Sequence, residues 1–402
     1  MTESVRILLA AVIVLFAPPI TLAVKPVFTT LYNFAGAAPG ASPLWLIEGP
    51  GGVLYGATYT GIFSLTPPTS PGGEWTETAL HTFPSKKHLT IPYAQAVIGP
   101  NGILYGGTAQ EGPYYSGLIY ALQPPASAGQ PWTEKVLYTF TGGADGGFPN
   151  SPLTLTGDGT LYGATAYGGA NGVGVVFALR PPAAPGGSWT EQVLYNYQQG
   201  SGGDEIGVTY SSGVFYGWEW NGFPVAPGFI FSLTPPVSGE GLWTANTLYN
   251  FNANSPGFSP ASRLVVSSDG VLCGTTNYGT ANSGTAFSLA PPVMPGQPWI
   301  LTTLYAFSPV TGFGASLLLH HGNLLGTSVE GGYQGNGSIF ALKSPGTPGG
   351  SWTLTALHYF SQGRGTNDYP RGGLVPGSGG VYYGLTFGGG TYYDGTVYSF
   401  EP

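Results

Sequence analysis

The apolar positions of this chain come in short bursts rather than helical stripes. One burst is Thr160-Leu161-Tyr162-Gly163-Ala164-Thr165, and the same slot reads Val53-Leu54-Tyr55-Gly56-Ala57-Thr58 and Ile103-Leu104-Tyr105-Gly106-Gly107-Thr108. Weaker copies are Val214-Phe215-Tyr216-Gly217, Val271-Leu272-Cys273-Gly274, Asn323-Leu324-Leu325-Gly326 and Val381-Tyr382-Tyr383-Gly384, which makes seven in all. Around each copy the chain divides into four strand-like pieces. In the best-formed unit these are Pro152-Leu153-Thr154-Leu155-Thr156, the 160–165 burst, Gly174-Val175-Val176-Phe177-Ala178-Leu179, and a piece from Trp189 to Tyr197. Gly157-Asp158-Gly159, the glycine-rich 167–172 segment and the Pro181–Gly187 segment separate them. Pieces rich in Val, Leu, Thr and aromatics, bounded by Gly, Pro, Ser and Asp, read as strands and turns.

The fourth piece opens on Trp75, Trp132, Trp189, Trp243, Trp299 and Trp352, at separations of 57, 57, 54, 56 and 53 residues. The phase of the repeat then predicts the architecture. After its leader the chain starts with an isolated fourth piece, Val27 to Phe34, and it ends on a third piece, Gly395 to Phe400. An open solenoid has no use for that split and needs polar caps. A closed ring uses both halves to complete one sheet. The expected fold is all-β: a seven-bladed β-propeller with four strands per blade, the N-terminal strand closing the last blade. The blades are expected at about 42–83, 92–140, 149–197, 205–251, 258–307, 313–360, and 370–402 with 26–34, forming one domain over 24–402.

One apolar run is of another kind. Arg6 precedes Ile7 to Ala17, then Pro18-Pro19-Ile20-Thr21-Leu22-Ala23 follows. A basic start, a short apolar core and a small residue at its end predict a secretory signal over 1–23. The run is shorter than the roughly 20 residues of a membrane-spanning helix, so no stable insertion is expected after cleavage. The protein is expected outside the cytoplasm, secreted or periplasmic.

Composition sharpens this picture. Charged residues are only 7% of the chain, against about 25% in ordinary domains. The 68 glycines and 37 prolines would suggest disorder, but 14% aromatic and 42% hydrophobic residues supply a core, so they read as turn punctuation. The net charge is −8 with ten Lys and Arg, and no basic cluster exceeds Lys86-Lys87-His88. Nucleic acid and anionic membrane surfaces are therefore excluded as expected partners. A single cysteine, Cys273, leaves no intrachain disulfide and no Cys-based zinc site; it stands in the motif tyrosine slot and is expected in the core.

The repeated motifs also carry a family resemblance. Leu-Tyr-Gly-x-Thr, then Gly-Gly, then Gly-x-Val-Phe-x-Leu, with Phe-x-Gly-Gly-x-Asp-Gly before the next unit, resembles the GloVer tandem repeat of exported bacterial proteins, the choice-of-anchor GloVer-containing proteins. The clearest match is Phe140-Thr141-Gly142-Gly143-Ala144-Asp145-Gly146 followed by Leu161-Tyr162-Gly163. The resemblance covers nearly all of the chain after the leader and implies export. It implies no activity. Members often carry a C-terminal sorting segment, whereas this chain stops at Glu401-Pro402, so a released protein is expected.

Candidate chemistry collects on one face. In a four-stranded blade the second-to-third-strand loops and the blade-to-blade loops emerge together, while the first-to-second-strand turns and the Pro-Pro segments share the other face. The second set is short and uniform; the first varies, and binding residues favour variable loops on rigid scaffolds. Second-to-third-strand loops carry Glu111, Tyr114 and Tyr115; Trp218, Glu219 and Trp220; Glu330 and Tyr333; and Tyr392, Tyr393 and Asp394. Blade-to-blade loops carry Asp145; Asp204 and Glu205; and Arg364, Asp368, Tyr369 and Arg371. Aromatic faces beside carboxylates suit sugars, stacking on C–H surfaces while the acids accept hydrogen bonds from the hydroxyls. At Trp218-Glu219-Trp220 blade packing competes with this reading, because adjacent strand residues point opposite ways and at most one tryptophan, or Glu219, faces the opening. Asp145 is expected to accept backbone hydrogen bonds within its own turn.

Three functions stay open. The first is a noncatalytic extracellular module binding glycan or a cell-surface polymer, working as a monomer. The second is a carbohydrate-active hydrolase or lyase in the central opening, with Asp204, Glu205, Glu219 and Glu330 as the pool for an acid–base pair. The third is a protein-interaction scaffold. No cofactor or metal is expected: His320-His321 lies in a plain-face turn without a third ligand. His81 and His358 replace the repeat tyrosine, and Glu77, Glu134 and Glu191 recur after Trp-Thr; all are expected to be structural.

Overall fold

The computed structural model describes residues 25–36, 40–70, 72–83, 90–127, 129–198, 208–219, 227–237, 241–252, 255–279, 283–312, 314–329, 331–332, 335–347, 350–360 and 369–402. The signal segment expected over 1–23 lies outside them. Seven antiparallel sheets follow one another around a ring, with strands at 45–82, 94–139, 147–196, 209–250, 257–306, 314–359 and 370–401 as blades 1 to 7. Blade 7 borrows its outermost strand, Val27–Asn33, which runs antiparallel to Thr396–Glu401 with Val27 opposite Glu401 and Asn33 opposite Thr396. Phe34 N donates to Gly395 O at 3.0 Å, the bond that Phe140 makes to Gly117 and Tyr197 to Gly174 within continuous blades. The fold is a seven-bladed β-propeller.

The motif explains itself in the packing. Gly163 lies directly opposite Phe177 of the third strand, and a Cβ on Gly163 would come within 2.7 Å of that ring. The same crossing occurs at Gly56 under Phe63 and at Gly384 under Tyr398. Real Cβ atoms do not approach so closely, so the aromatic of strand three selects glycine in strand two. The motif tyrosine turns the other way, toward the outer-strand tryptophan of the next blade: Tyr55 meets Trp132, and Tyr105 meets Trp189, each at 6.2 Å between ring centroids. Cys273 replaces this tyrosine in blade 5 and is buried in the cluster that Trp352 packs against, with its thiol pushed up to about 11 by burial.

Outer strands also touch in register around the ring. At several junctions the aromatic near the end of one fourth strand faces the residue after Trp-Thr, or its equivalent, in the next blade. Tyr32 donates to Glu77 Oε2 at 2.9 Å, and His81 Nε2 lies 3.4 Å from Glu134 Oε2. His358 stacks on Phe28 at 3.8 Å and 5°. Glu77, Glu134 and Glu191 are therefore contacts between blades.

The structure corrects one local expectation. The inner strand of blade 3 is not a continuous 152–156 piece: Gly147–Pro149 and Thr154–Leu155 pair with the second strand separately. Pro149 and Pro152 lack the N–H that a ladder needs. Ser151 fills the gap, its Oγ accepting from Ala164 N at 2.6 Å, while Leu153 N donates across to Gln95 O of blade 2 at 3.0 Å. Blade 5 is interrupted likewise, with Ser262 Oγ accepting from Thr275 N at 2.9 Å.

Candidate functional site

The variable face presents two groups of exposed or half-buried aromatics. At the rim, Tyr114 and Tyr115 of blade 2 and Tyr392 and Tyr393 of blade 7 are exposed by 52–59%. They stand in matching Tyr-Tyr-x-Gly loops, with Tyr115 and Tyr393 both in the left-handed region at φ 55° and 66°. The glycine that ends each loop, Gly117 or Gly395, has φ 88° or 99° and lies against the carbonyl of Thr108 or Thr386. The loops therefore hold their tyrosine pairs outward on either side of blade 1, whose own loop is short.

Nearer the ring axis runs a chain of aromatic contacts at the upper ends of the first and second strands. Phe387 of blade 7 meets Tyr59 of blade 1 at 6.3 Å, Tyr59 meets Tyr93 of blade 2 at 6.4 Å, Tyr93 meets Phe148 of blade 3 at 5.7 Å, and Phe148 meets Tyr167 at 6.0 Å. Arg371 lies over the start of this arc, its guanidinium carbon 5.0 Å from the Phe387 centroid and 5.9 Å from that of Tyr59. These separations fall in the range of attractive ring and cation–π contacts. Blade 5 repeats the last pair, with Phe258 stacked on Tyr278 at 5.3 Å. Of this arc the sequence pointed to Arg371 alone. Tyr59, Tyr93, Phe148, Tyr167 and Phe387 were legible at most as aromatics next to motif ends.

Other candidates are placed differently. Trp218 is not on the face: it is 5% exposed, and its Nε1 donates to Ser262 O of blade 5 at 3.0 Å. Glu219 is also buried; it accepts from Tyr195 Oη at 2.8 Å and Gln198 N at 3.0 Å. Burial raises its pKa, and those two bonds oppose the shift. Blade 4 carries Ala245 where blades 1 to 3 carry Glu77, Glu134 and Glu191, so Glu219 supplies the carboxylate that Tyr195 would otherwise lack. Both are packing residues, because the strand runs between two blades and neither of its sides is open.

Asp145 closes its own turn, taking Thr141 N at 2.8 Å, the Thr141 hydroxyl, and Tyr138 Oη at 3.1 Å. Glu111 turns inward toward His81 and Glu134; burial, then the Glu134 charge, raises its pKa. Asp394 is half-buried, and its carbonyl accepts from Ser42 N at 2.7 Å. Tyr369 is half-buried, its carbonyl taking Phe387 N at 2.8 Å. Asp204, Glu205, Trp220, Glu330, Tyr333, Arg364 and Asp368 lie outside the described residues. His320 hydrogen-bonds Tyr382 through Nδ1, and no group of three metal-ligating side chains occurs among the described residues.

On the plain face a depression of about 500 Å³ opens between the turns of blades 2 and 3, lined by Ile98, Pro100, Leu155 and Asp158. Asp158 is committed to its own turn through Thr156 and Thr160. The depression has no converging free polar groups among these residues.

Solved structures with this architecture are distant in sequence. The extracellular domain of a hybrid two-component system from B. thetaiotaomicron aligns over 92% of this chain at 14% identity and TM-score 0.54, the match spanning 39% of that longer chain. Virginiamycin B lyase from Staphylococcus aureus, solved with quinupristin, aligns over 94% of this chain and 100% of its own, at 12% identity and TM-score 0.56. At these identities the likeness concerns the fold. No curated protein sequence matches the chain. The sequence model of the Gloeobacter/Verrucomicrobia repeat matches residues 60–287, more than half of the chain, and the protein belongs to that family.

Proposed function

We propose that the protein is a noncatalytic extracellular binding module that holds a glycan on its variable face. One observation carries this reading: the run from Arg371 and Phe387 through Tyr59, Tyr93 and Phe148 to Tyr167, spread over blades 7, 1, 2 and 3. Half-buried rings on a rigid scaffold present flat apolar surface at little entropic cost, with the tyrosine hydroxyls near it as hydrogen-bonding tips. A polymer of sugar rings offers the matching repeat of C–H faces and hydroxyls. The exposed tyrosine pairs 114–115 and 392–393 extend the same chemistry to the rim.

The leader over 1–23 and a sensor ectodomain among the structural neighbours support an extracellular setting. A catalytic reading is less well supported. Of its four candidate acids, Glu219 is committed to Tyr195 and Gln198, and the other three lie outside the described residues.

The test is a pull-down on a panel of insoluble polysaccharides, reading both retained protein and released sugar. Retention without release, lost in Tyr59→Ala/Phe387→Ala and kept in Trp218→Phe, is the expected result. Release of new sugar ends would replace the reading with an enzymatic one. Loss of retention in neither aromatic variant would remove the arc from it.

A further inference from the structure

We infer that the central opening holds a seat for a carboxylate anion, built on Arg263 below the aromatic arc, which gives the ring a preference for acidic over neutral sugars. The preference rests on the glycan reading above; the anion seat does not.

The inner strands set the geometry. In each described case one residue stands two places before the partner of the motif tyrosine: Trp45, Gln95, Pro152, Arg263, Ser316 and Gly373. Trp45 and Ser316 are paired with the second strand at this position, the other four fall where the inner ladder is interrupted, and Arg263 is the charged one among the six. Trp45 turns away and is buried, its Nε1 donating to Pro92 O at 2.7 Å. Arg263 does the opposite. Its neighbours Ser262 and Leu264 are buried at 2% and 1%, while Arg263 itself is exposed. It lies midway down the blade, in the gap between Gly257–Pro260 and Val265–Val266. An exposed side chain halfway along an innermost strand faces the opening at the centre.

The guanidinium is anchored but not neutralised. Arg263 Nε donates to Thr209 Oγ1 at 3.2 Å, and that hydroxyl donates to Leu264 O at 2.6 Å. Both terminal nitrogens are left without a partner among the described residues, and none of the described carboxylates pairs with them. An arriving carboxylate meets a planar fork of donors already oriented by Thr209. Described carboxylates near the axis sit elsewhere: Glu48 bonds Ser378 at the plain-face end of blade 1, and Asp269 bonds Ser267 in the plain-face turn of blade 5.

Calorimetric titration of the intact protein with glucuronate, glucose and acetate tests this, using wild type, Arg263→Gln and Arg263→Lys. Glucuronate and acetate are expected to bind wild type and to weaken by about tenfold or more in Arg263→Gln, the loss of a charged hydrogen-bond pair. Arg263→Lys should fall between, and glucose should not respond to either change. Without ligand, Arg263→Gln is expected to melt no lower than wild type, which separates a lost seat from a lost fold. Equal affinity of wild type and Arg263→Gln for every anion overturns the seat, even if polysaccharides are retained through Tyr59 and Phe387. Arg263-dependent binding of acetate with glucuronate no tighter than glucose upholds the seat and overturns the acidic-sugar preference. Arg263-dependent anion binding with no polysaccharide retained upholds the seat and overturns the glycan reading.

Discussion

Glu191 shows how a repeated side chain acquires a specific property from its place between blades. Burial, then the nearby Asp145 charge, pushes its carboxyl up to about 7 from 4.5. The folded state therefore holds a proton that the unfolded chain releases near its ordinary value. This contribution to stability is full below about pH 4.5 and is lost as pH rises through about 7. Glu191→Gln should flatten that fall and raise stability at about pH 8 by about 1–2 kcal/mol, after allowance for the group's partial contact with water. Urea unfolding of both proteins across that range checks it. His81 works in the opposite sense: burial lowers its pKa, so stability rises with pH up to its ordinary 6.5. At the motif glycine the consequence is steric. Gly163→Ala would set a Cβ 2.7 Å from the Phe177 ring, and a loss of about 1–3 kcal/mol is expected from overpacking. Thermal unfolding measures it, and an unchanged midpoint would contradict the packing described for the motif glycines Gly163, Gly56 and Gly384.

Elements were unevenly legible. The second and third strands were plain, because their Leu-Tyr-Gly and Gly-x-Val-Phe patterns repeat and both faces are buried. The inner strand of blade 3 was read as continuous because Leu153, Thr154 and Leu155 are good strand formers; Pro149 and Pro152 break its ladder, and Ser151 restores the missing bond. Trp218 and Glu219 looked like face residues because alternation leaves one side of a strand open in an ordinary sheet. In a blade both sides are covered, by a partner 44 residues away for Trp218 and 24 residues back for Glu219. The aromatic arc was hidden for a related reason. Tyr93 and Phe148 begin inner strands, and only the curvature of the ring brings them together at 5.7 Å. If Glu219 serves Tyr195 as described, Glu219→Ala should cost about 2–3 kcal/mol, a charged partner removed from a buried hydroxyl and a backbone amide. Adding Ala245→Glu, which restores the acid of blades 1 to 3, should recover part of that loss. A double-mutant cycle with Tyr195→Phe reads the coupling; additive losses would contradict the contact.

Across the whole molecule, the pairing of Val27–Asn33 with Thr396–Glu401 joins the two ends of the described chain in one sheet. His358 on Phe28 then ties blade 6 to the same strand. Removing residues 25–34 should open the ring, exposing the edge of Thr396–Glu401 and abolishing a single cooperative unfolding transition; a deletion variant that unfolds at the wild-type midpoint would contradict closure by this strand. A closed ring matters for function because it fixes four blades' worth of aromatic side chains relative to one another. That arrangement is the central claim, and its most direct measurement is a calorimetric titration of wild type and Tyr59→Ala with a soluble oligosaccharide cut from whichever polysaccharide retains the protein. Tyr59 joins Phe387, Tyr93 and Arg371, so its loss is predicted to weaken binding by about tenfold or more, the worth of a stacked ring. Unchanged affinity in Tyr59→Ala would show that the arc is not where the sugar lies.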